Sequence, residues 1–348
     1  MKFPDRFRSF KIRLLHWEYW PWRIVYIPLF LQYFWNGLRS GFGFPTVINR
    51  PYMQYGGILE ESKWEMYRKT PAAYMPPTLL HPAGDNLKEL ALHIRESSLS
   101  YPLIVKPDRG MRGKGIQIIG SEKELLQWQP HPDFDFIIQP FIDYPREIGV
   151  FMIRDPRKGT WRISSLMERQ FLSVTGNGRS TLEELIRKKD RAFLQLQRWQ
   201  QSNRFNLQQV IPNGREFKLE SIGNHRLGTY FKDATQHHTP GLLKAMTSIA
   251  ENLSGFEYGR MDIRFKDWDS LTRLESFILI EVNGANSEPA HIYDPKHNLF
   301  YAWKILLRHF GIQHQLAQKR LKKGEKAISI TEARKLLKQY NHTMSDLD

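Results

Sequence analysis

The sequence GRMDIR at residues 259–264, followed by FILIEVN at residues 277–283, indicates two apolar strands with polar side chains on one face. Residues i and i+2 of a strand share a face, so Glu281 and Asn283 present two oxygen ligands together, and Asp262 would add a third from a neighbouring strand. A carboxylate in such an apolar strand is costly unless it is paired or bound to a metal. Carboxylate and amide oxygens suit Mg²⁺ better than Zn²⁺. A Mg²⁺ site or a buried ion pair fits this pattern.

Upstream of these strands, LIVKPDRGMRGKGI at residues 103–116 reads as a buried strand, a glycine-rich loop and a second strand. Lys106 leaves the first strand and can reach phosphate oxygens, while the loop from Arg109 to Gly115 lets backbone N–H groups approach the same phosphates. The loop matches neither the P-loop pattern nor GxGxxG. We interpret it as a flap over a nucleotide, although hairpin loops rich in glycine and arginine are common.

Two further residues, Gln139 and Glu147, are candidates for contacts with a nucleotide. The strand FIIQPFI at residues 136–142 becomes polar at Gln139, which could bond adenine, and Glu147 could reach ribose hydroxyls. An ordinary core strand is the alternative.

Arg260 precedes Asp262 by two residues, so the two side chains share one face of the strand and Arg260 could stabilise an oxyanion.

Apolar runs alternate with amphipathic segments from about residue 60 to 310, which predicts a mixed α+β domain. A capping box of Ser180 and Glu183 predicts a helix at 182–189, and Thr331 is a candidate N-cap for 332–340 in a basic helical tail, 311–348. The expected strands are 101–106, 116–119, 136–142, 148–153, 161–167, 217–222, 261–265 and 277–282.

The first 60 residues are basic and aromatic, with no βαβ pattern. Residues 19–38 have about the ~20 residues of a membrane span but contain Arg23 and two prolines. They are dense in Trp and Tyr, which favour membrane interfaces. An in-plane anchor on an anionic membrane through residues 1–45, an aromatic helix packed on the enzyme body, and a true span remain open.

Composition narrows the class of protein. The 348 residues include no cysteine, which excludes disulfides and thiolate chemistry and is compatible with the cytoplasm. A formal net charge of +15 favours anionic partners. A nucleic-acid partner is not expected, because the aromatic residues do not interleave with Lys and Arg as stacking platforms would.

In this order along the chain, the motifs resemble the ATP-grasp superfamily, on the branch of D-alanine–D-alanine ligase, cyanophycin synthetase and glutathione synthetase, over roughly residues 61–301. The most specific segments are GRMDIRF at 259–265 and EVNGANSEP at 281–289; VTGNGRSTLEELI at 174–186 and NHRLGT at 224–229 add to them. The resemblance implies two α+β lobes, about 100–150 and 151–310, that hold ATP between antiparallel sheets.

The resemblance also implies roles for individual residues. Lys106 and Arg260 would be catalytic, with Lys106 on the α- and β-phosphates and Arg260 on an acyl-phosphate. Asp262, Glu281 and Asn283 would bind Mg²⁺, or Mn²⁺. The remaining ATP-binding residues would be Lys63 (with Lys69 as a rival), Arg109, Gly110, Gly113, Gly115, Gln139, Pro140, Phe141, Ile142 and Glu147. Arg226 and Lys232 are weaker candidates for the γ-phosphate or a substrate carboxylate.

The expected activity is ATP-dependent joining of a small carboxylate to an amine, as in D-alanine–D-alanine ligase. The residues after the metal-binding asparagine, Gly284 to Pro289, depart from the pattern of that enzyme, so the acceptor is open. A nucleotide-binding regulatory module without catalysis is the alternative, and a basic nucleic-acid-binding protein is a weaker one.

Overall fold

The computed structural model describes residues 3–58, 61–110, 115–220 and 228–346. Its helices are α1 (Phe3–Leu15), α2 (Trp22–Val25), α3 (Ile27–Ser40), α4 (Lys63–Arg68), α5 (Leu87–Glu96), α6 (Glu122–Gln127), α7 (Leu182–Lys188), α8 (Asp190–Phe193), α9 (Leu196–Ser202), α10 (Pro240–Glu251), α11 (Trp268–Thr272), α12 (Leu299–Lys322) and α13 (Ile330–Asp346). Its strands are β1 (Leu79–His81), β2 (Leu103–Pro107), β3 (Gln117–Ile119), β4 (Phe136–Pro140), β5 (Arg146–Arg154), β6 (Trp161–Gln170), β7 (Ser173–Thr175), β8 (Glu216–Lys218), β9 (Tyr230–Asp233), β10 (Tyr258–Phe265) and β11 (Phe277–Asn283). The mixed α+β class with antiparallel sheets is confirmed.

The first sheet has the strand order β1-β4-β2-β3, with every neighbouring pair antiparallel. Helices α5 and α6 cover one face, where Leu90 and Leu125 share a core with Leu103 and Val105. Because side chains alternate along a strand, Lys106 of β2 faces away from that core. The opposite face of this sheet is therefore free to line a cavity.

The second sheet has the order β11-β10-β5-β6-β9 and is also antiparallel throughout. Helix α10 packs on one face, where Met246 and Ile249 share a core with Val150 and Met261. On the other face Phe151 packs with residues of α12. The same face carries the polar residues of β10 and β11.

A small sheet of β7 and β8 packs with α7, α8 and α9 around Trp199. Ile12 of α1 joins this core, so the N-terminal helix is attached to it. The predicted helix of this region is present, but its capping box consists of Thr181 and Glu184, one residue later than expected. The side chain of Asn177 instead accepts a hydrogen bond from the backbone N–H of Ser180, and this bond closes the turn before the helix.

Helix α3 packs against α12 through its buried face, and Leu29 shares a core with Ile292 and Leu306. Within the described residues, no helix combines the length and the apolarity that a membrane span needs. The true span considered for residues 19–38 is therefore not found.

Helix α12 runs through residue 311, where the sequence predicted the tail to begin. Ser329, rather than Thr331, caps α13 by accepting the backbone N–H of Glu332.

Candidate functional site

The two larger sheets face each other across a cavity of about 1520 Å³. Lys106 and Gln139 of the first sheet line it from one side, and Arg260, Glu281 and Asn283 of the second line it from the other. Residues that lie far apart in the sequence are thus brought to one site.

The polar residues of β10 and β11 form a compact group because of the strand register. Arg260 lies opposite Asn283, and Asp262 lies opposite Glu281. The guanidinium of Arg260 donates to Asp262 at 2.6 Å (Nε to Oδ1) and 3.0 Å (Nη2 to Oδ2). The side-chain amide of Asn283 donates to Oδ2 of Asp262 at 3.3 Å. The predicted metal ligands therefore lie together.

Asp262 has a second cationic partner that the sequence did not reveal. Arg169 of β6 donates from Nη2 to Oδ2 of Asp262 at 2.8 Å. Burial raises the pKa of Asp262, but the charges of Arg169 and Arg260 outweigh this and lower it below its ordinary value. Asp262, with 2% of its surface exposed, is therefore an ionised carboxylate. Only the pairing of strands places Arg169 here, so no local motif could have found it.

Glu147, the expected ribose acid, lies on the central strand β5 of the second sheet, opposite Arg264 of β10. Its carboxylate accepts hydrogen bonds from Arg169 and from Nε of Arg264, the latter at 3.3 Å. Arg169 thus joins Glu147 to Asp262. The network holds three arginines, Arg260 included, against two buried carboxylates, so its net charge is positive. Such a site attracts anions.

Lys106 is 6% exposed, and its Nζ donates to the hydroxyl of Tyr67 at 2.9 Å. Tyr67 in turn donates to the carbonyl of Ile280 at 2.6 Å, so this pair connects the two sheets. Burial lowers the pKa of Lys106 to about 8, although the nearby charges of Glu281 and Glu147 oppose the shift. Lys106 is thus still mostly protonated at neutral pH.

The two rival lysines differ in position. Nζ of Lys63 donates to the carbonyls of Pro107, Asp108 and Gly110 at 2.9–3.2 Å, and Lys63 lines the cavity. Its ammonium therefore holds the start of the glycine loop against α4. Nζ of Lys69 donates to carbonyls of residues 51 and 52, and Lys69 does not line the cavity.

Parts of the expected nucleotide site lie around these groups. Gly110, Pro140, Phe141 and Ile142 line the cavity together with Gln139, whose side-chain amide donates to Thr78 at 2.8 Å. By contrast, Arg109, Gly115 and Lys232 are exposed and do not line the cavity. Gly110 and Gly115 have positive φ angles of 155° and 68°, which L side chains rarely adopt. Gly113 and Arg226 lie outside the described residues.

Glu288 is a further candidate residue that sequence reasoning did not single out. It lies in the loop after β11, lines the cavity and accepts a hydrogen bond from the hydroxyl of Tyr293 at 2.7 Å. Burial raises the pKa of Glu288 above its ordinary value, although the Tyr293 hydrogen bond opposes this. The sequence feature that could have pointed to Glu288 is the departure of residues 284–289 from the ligase pattern.

Among the described residues, no three His, Cys, Asp or Glu side chains cluster as metal ligands do. A set of metal ligands that includes an amide remains possible at this cavity. The side-chain nitrogen of Asn283 donates a hydrogen bond to Asp262, which leaves the amide oxygen available to a cation. Glu281 is half-buried at the cavity, and its carboxylate accepts no direct hydrogen bond from the described parts of the chain. Asp262, Glu281 and Asn283 carry the oxygen ligands that a hard cation prefers, and both oxygens of Asp262 accept hydrogen bonds from Arg260, Arg169 and Asn283.

Comparison with known proteins gives structural matches alone. No protein-family model and no curated protein matches the chain. It is similar to a bifunctional glutathione synthetase from Pasteurella multocida, with 16% identity, a TM-score of 0.40, and 68% of this chain and 34% of that one covered. It is also similar to D-alanine–D-alanine ligases from Helicobacter pylori (15% identity, TM-score 0.39, coverage 74% and 60%) and Bacillus anthracis (14%, 0.40, 76% and 69%). The chain thus spans about a third of the synthetase and three fifths of the Helicobacter enzyme.

Proposed function

We propose that the protein is an ATP-dependent ligase that joins a carboxylate to an amine through an acyl-phosphate. One observation carries the proposal: Lys106 from one sheet and Arg260, Glu281 and Asn283 from the other line a single cavity, with Asp262 bonded beside them. Cations that can hold phosphate thus meet oxygen ligands that can hold Mg²⁺.

The nucleotide binds at the edge where the two sheets approach. Lys106 donates to phosphate oxygens, and Lys63 supports the glycine loop by holding its first carbonyls. Gln139 and the backbone from Pro140 to Ile142 receive adenine. Glu147 reaches the ribose, and hydrogen bonds from Arg169 and Arg264 hold its carboxylate in position. The excess of positive charge favours a triphosphate over a neutral ligand.

Asp262, Glu281 and Asn283 would hold Mg²⁺, and the same oxygen set accepts Mn²⁺. When bound, the cation supplies neutralisation of phosphate charge. Arg260 and Arg169 keep Asp262 ionised and fixed in position, so this ligand is oriented in advance.

The reaction needs no side-chain nucleophile. An oxygen of the substrate carboxylate attacks the γ-phosphorus, the bond to the β-phosphate oxygen breaks, and ADP leaves. The amine nitrogen then attacks the acyl carbon, and Arg260 donates to the oxyanion that forms. The C–O bond to phosphate breaks, inorganic phosphate leaves, and the amine proton passes to a base. Glu288 lies along the same cavity and is the carboxylate that we assign to the amine.

The test is ADP release by the purified protein with Mg²⁺, screened over amino acids, short peptides and polyamines, and repeated with Asp262→Asn. Loss of the metal ligand should lower the rate by several orders of magnitude. Asp269→Asn, an exposed aspartate on α11, is the matched control and should keep the full rate. Equal rates for Asp262→Asn and the wild type would remove the metal assignment. ATP binding without ADP release would identify a nucleotide-binding regulatory module instead.

A further inference from the structure

Helix α3 exposes an apolar stripe that nothing in the described chain covers. Its members recur at the i, i+3, i+4 spacing of one helix face and are 48–69% exposed: Ile27, Phe30, Leu31, Phe34, Trp35 and Leu38. The opposite face of α3 is buried against the enzyme body through Leu29. A soluble surface rarely exposes so many large apolar side chains together, and such patches mark binding faces.

Neighbouring N-terminal segments extend this stripe. The Trp22 ring lies 5.9 Å from the Phe30 ring, and the Phe34 ring lies 5.7 Å from the Phe42 ring. Helix α1 exposes its own apolar side chains, Phe7, Phe10, Leu14 and Leu15, at 56–69%. We call the exposed apolar residues of 7–42 the N-terminal apolar face.

The charges around this face select its partner. Five cationic side chains of the segment are exposed: Arg6, Lys11, Arg13, Arg23 and Arg39. The two acidic residues, Asp5 and Glu18, form ion pairs with Arg187 and Arg191 of the enzyme body at 2.9 and 2.6 Å. A second copy would bring cations against cations, whereas an anionic bilayer satisfies both the apolar face and the charges.

The cavity of the proposed active site reaches the same face. Trp22 and Phe30, which are 59% and 48% exposed, also line the cavity. Tyr26, the fully buried Leu29 and Glu288 line the same cavity. Small-molecule sites are usually about 300–1,000 Å³, so this cavity has room beyond a nucleotide.

Glu288 is linked to the N-terminal segment through its partner Tyr293. Its partner Tyr293 stacks on Trp17 of the N-terminal segment, with ring centroids 5.3 Å apart. A carboxylate in a cavity that is partly lined by apolar side chains suits an ammonium group with an alkyl chain behind it.

We propose that the protein docks on an anionic bilayer through the N-terminal apolar face and takes its amine substrate from that bilayer, as an amphiphile. The ammonium lies at Glu288, and the alkyl chain follows Leu29, Tyr26 and Phe30 toward Trp22. This inference rests on the proposed ligase function for the role of the amine, while docking and amine binding need neither ATP nor turnover.

Docking is measured by flotation with vesicles of phosphatidylcholine alone or with 30% phosphatidylglycerol. We expect the wild type to partition at least about tenfold more strongly onto the anionic vesicles. The variant Leu31→Glu/Phe34→Glu/Leu38→Glu should lose at least about tenfold of that partition. Leu92→Glu/Leu126→Glu/Ile330→Glu, which makes the same change at exposed apolar positions of other helices, should retain it. Circular dichroism and thermal melting establish that both variants are folded.

Amine binding is measured by calorimetry with butylamine and with dodecylamine below its micellar concentration. We expect dodecylamine to bind at least about a hundredfold more tightly. Glu288→Gln should weaken dodecylamine binding about tenfold or more while vesicle partition stays unchanged.

Equal vesicle partition of the α3 variant and the wild type would overturn docking, as would a dimer that the variant abolishes in the absence of vesicle binding. Equal affinity for the two amines would overturn the amphiphilic substrate. If both expectations hold but no ADP is released with any carboxylate, the proposed ligase function fails and the membrane-bound amine site stands.

Discussion

Arg169 shows how strongly the site depends on single side chains. It contacts both Glu147 and Asp262, and 15% of its side chain is exposed. Burial lowers the pKa of Arg169, but the charges of Asp262 and Glu147 raise it above its ordinary value, so it remains a cation at any relevant pH. Two buried carboxylates therefore share one guanidinium, in addition to Arg260 on Asp262 and Arg264 on Glu147.

Replacing Arg169 by methionine should destabilise the fold by about 3–5 kcal/mol, because it leaves buried carboxylates short of a cationic partner. Urea denaturation measures the change in free energy of unfolding. Arg273→Met removes an arginine whose side chain is 58% exposed in its pair with Glu275, and should change the stability little. A similar loss in the two variants would contradict the importance assigned to the buried network.

Gly149 provides a second prediction at this scale. A Cβ there would lie 2.9 Å from Cδ of Arg260 and 3.3 Å from Oδ1 of Asp262. Gly149→Ala should therefore displace the Arg260 side chain and lower the rate of ADP release about tenfold or more. ATP affinity, measured by calorimetry, should change less than the rate. Full activity of Gly149→Ala would show that the position of Arg260 is not critical.

The sequence predicted some of these residues and not others for a physical reason. Asp262, Glu281 and Asn283 stand out because polar side chains recur with a period of two in apolar strands. Arg169 has no such signal, since its role arises from the pairing of β6 with β5 and from the reach of its side chain across β5. Glu288 follows a strand rather than lying in one, so no periodicity marks it.

Among the elements, the long apolar strands were predicted more reliably than the short strands. β5, β10 and β11 were each expected to within three residues at either end, because their apolar runs are nearly continuous. β9 was not predicted. It is a four-residue edge strand with a mixed sequence, and only its pairing with β6 makes it a strand.

Helix α12 packs His309 against the face of the second sheet, in contact with Phe151 and Tyr258. Its ring accepts or donates hydrogen bonds with Ser164 at 2.7 Å and Tyr258 at 2.9 Å, and it is 2% exposed. Burial lowers the pKa of His309 to about 3, and the charge of Arg162 adds to the shift. The native state therefore keeps this histidine neutral where the unfolded chain protonates it.

Between about pH 6.5 and pH 3 the unfolded state binds one more proton at His309 than the native state does. Stability should therefore fall with decreasing pH by about 1.4 kcal/mol per pH unit from this group. Urea denaturation from pH 7 to pH 5 should give a shallower dependence for His309→Gln. His238→Gln, at an exposed histidine, should keep the slope of the wild type. An unchanged slope in His309→Gln would refute the assignment.

At the scale of the whole molecule, the N-terminal segment is both attached and exposed. The basic and aromatic composition of residues 1–60 predicted a departure from the ligase pattern, and the described part of this segment is helical. Which face packs on the body depends on α12, more than 250 residues later, so the sequence of α3 alone could not decide it.

Leu29 and Leu31 test this arrangement on one helix. Leu29 is fully buried, and Leu31 is 69% exposed. Leu29→Ala should lower the free energy of unfolding by about 2–5 kcal/mol, and Leu31→Ala by less than about 0.5 kcal/mol. Urea denaturation, monitored by tryptophan fluorescence, measures both changes in the free energy of unfolding. Equal effects would mean that α3 does not fold with the rest of the protein.

The central claim is that the cavity between the two sheets binds ATP together with a divalent cation. Calorimetric titration of ATP, with and without Mg²⁺, tests it most directly in the wild type, Lys106→Gln, Glu281→Gln and Lys69→Gln. We predict Mg²⁺-dependent binding by the wild type and at least about tenfold weaker binding by Lys106→Gln. Glu281→Gln should lose most of the Mg²⁺ dependence, and Lys69→Gln should match the wild type. Absence of ATP binding by the wild type, or equal binding by all four proteins, would contradict the account.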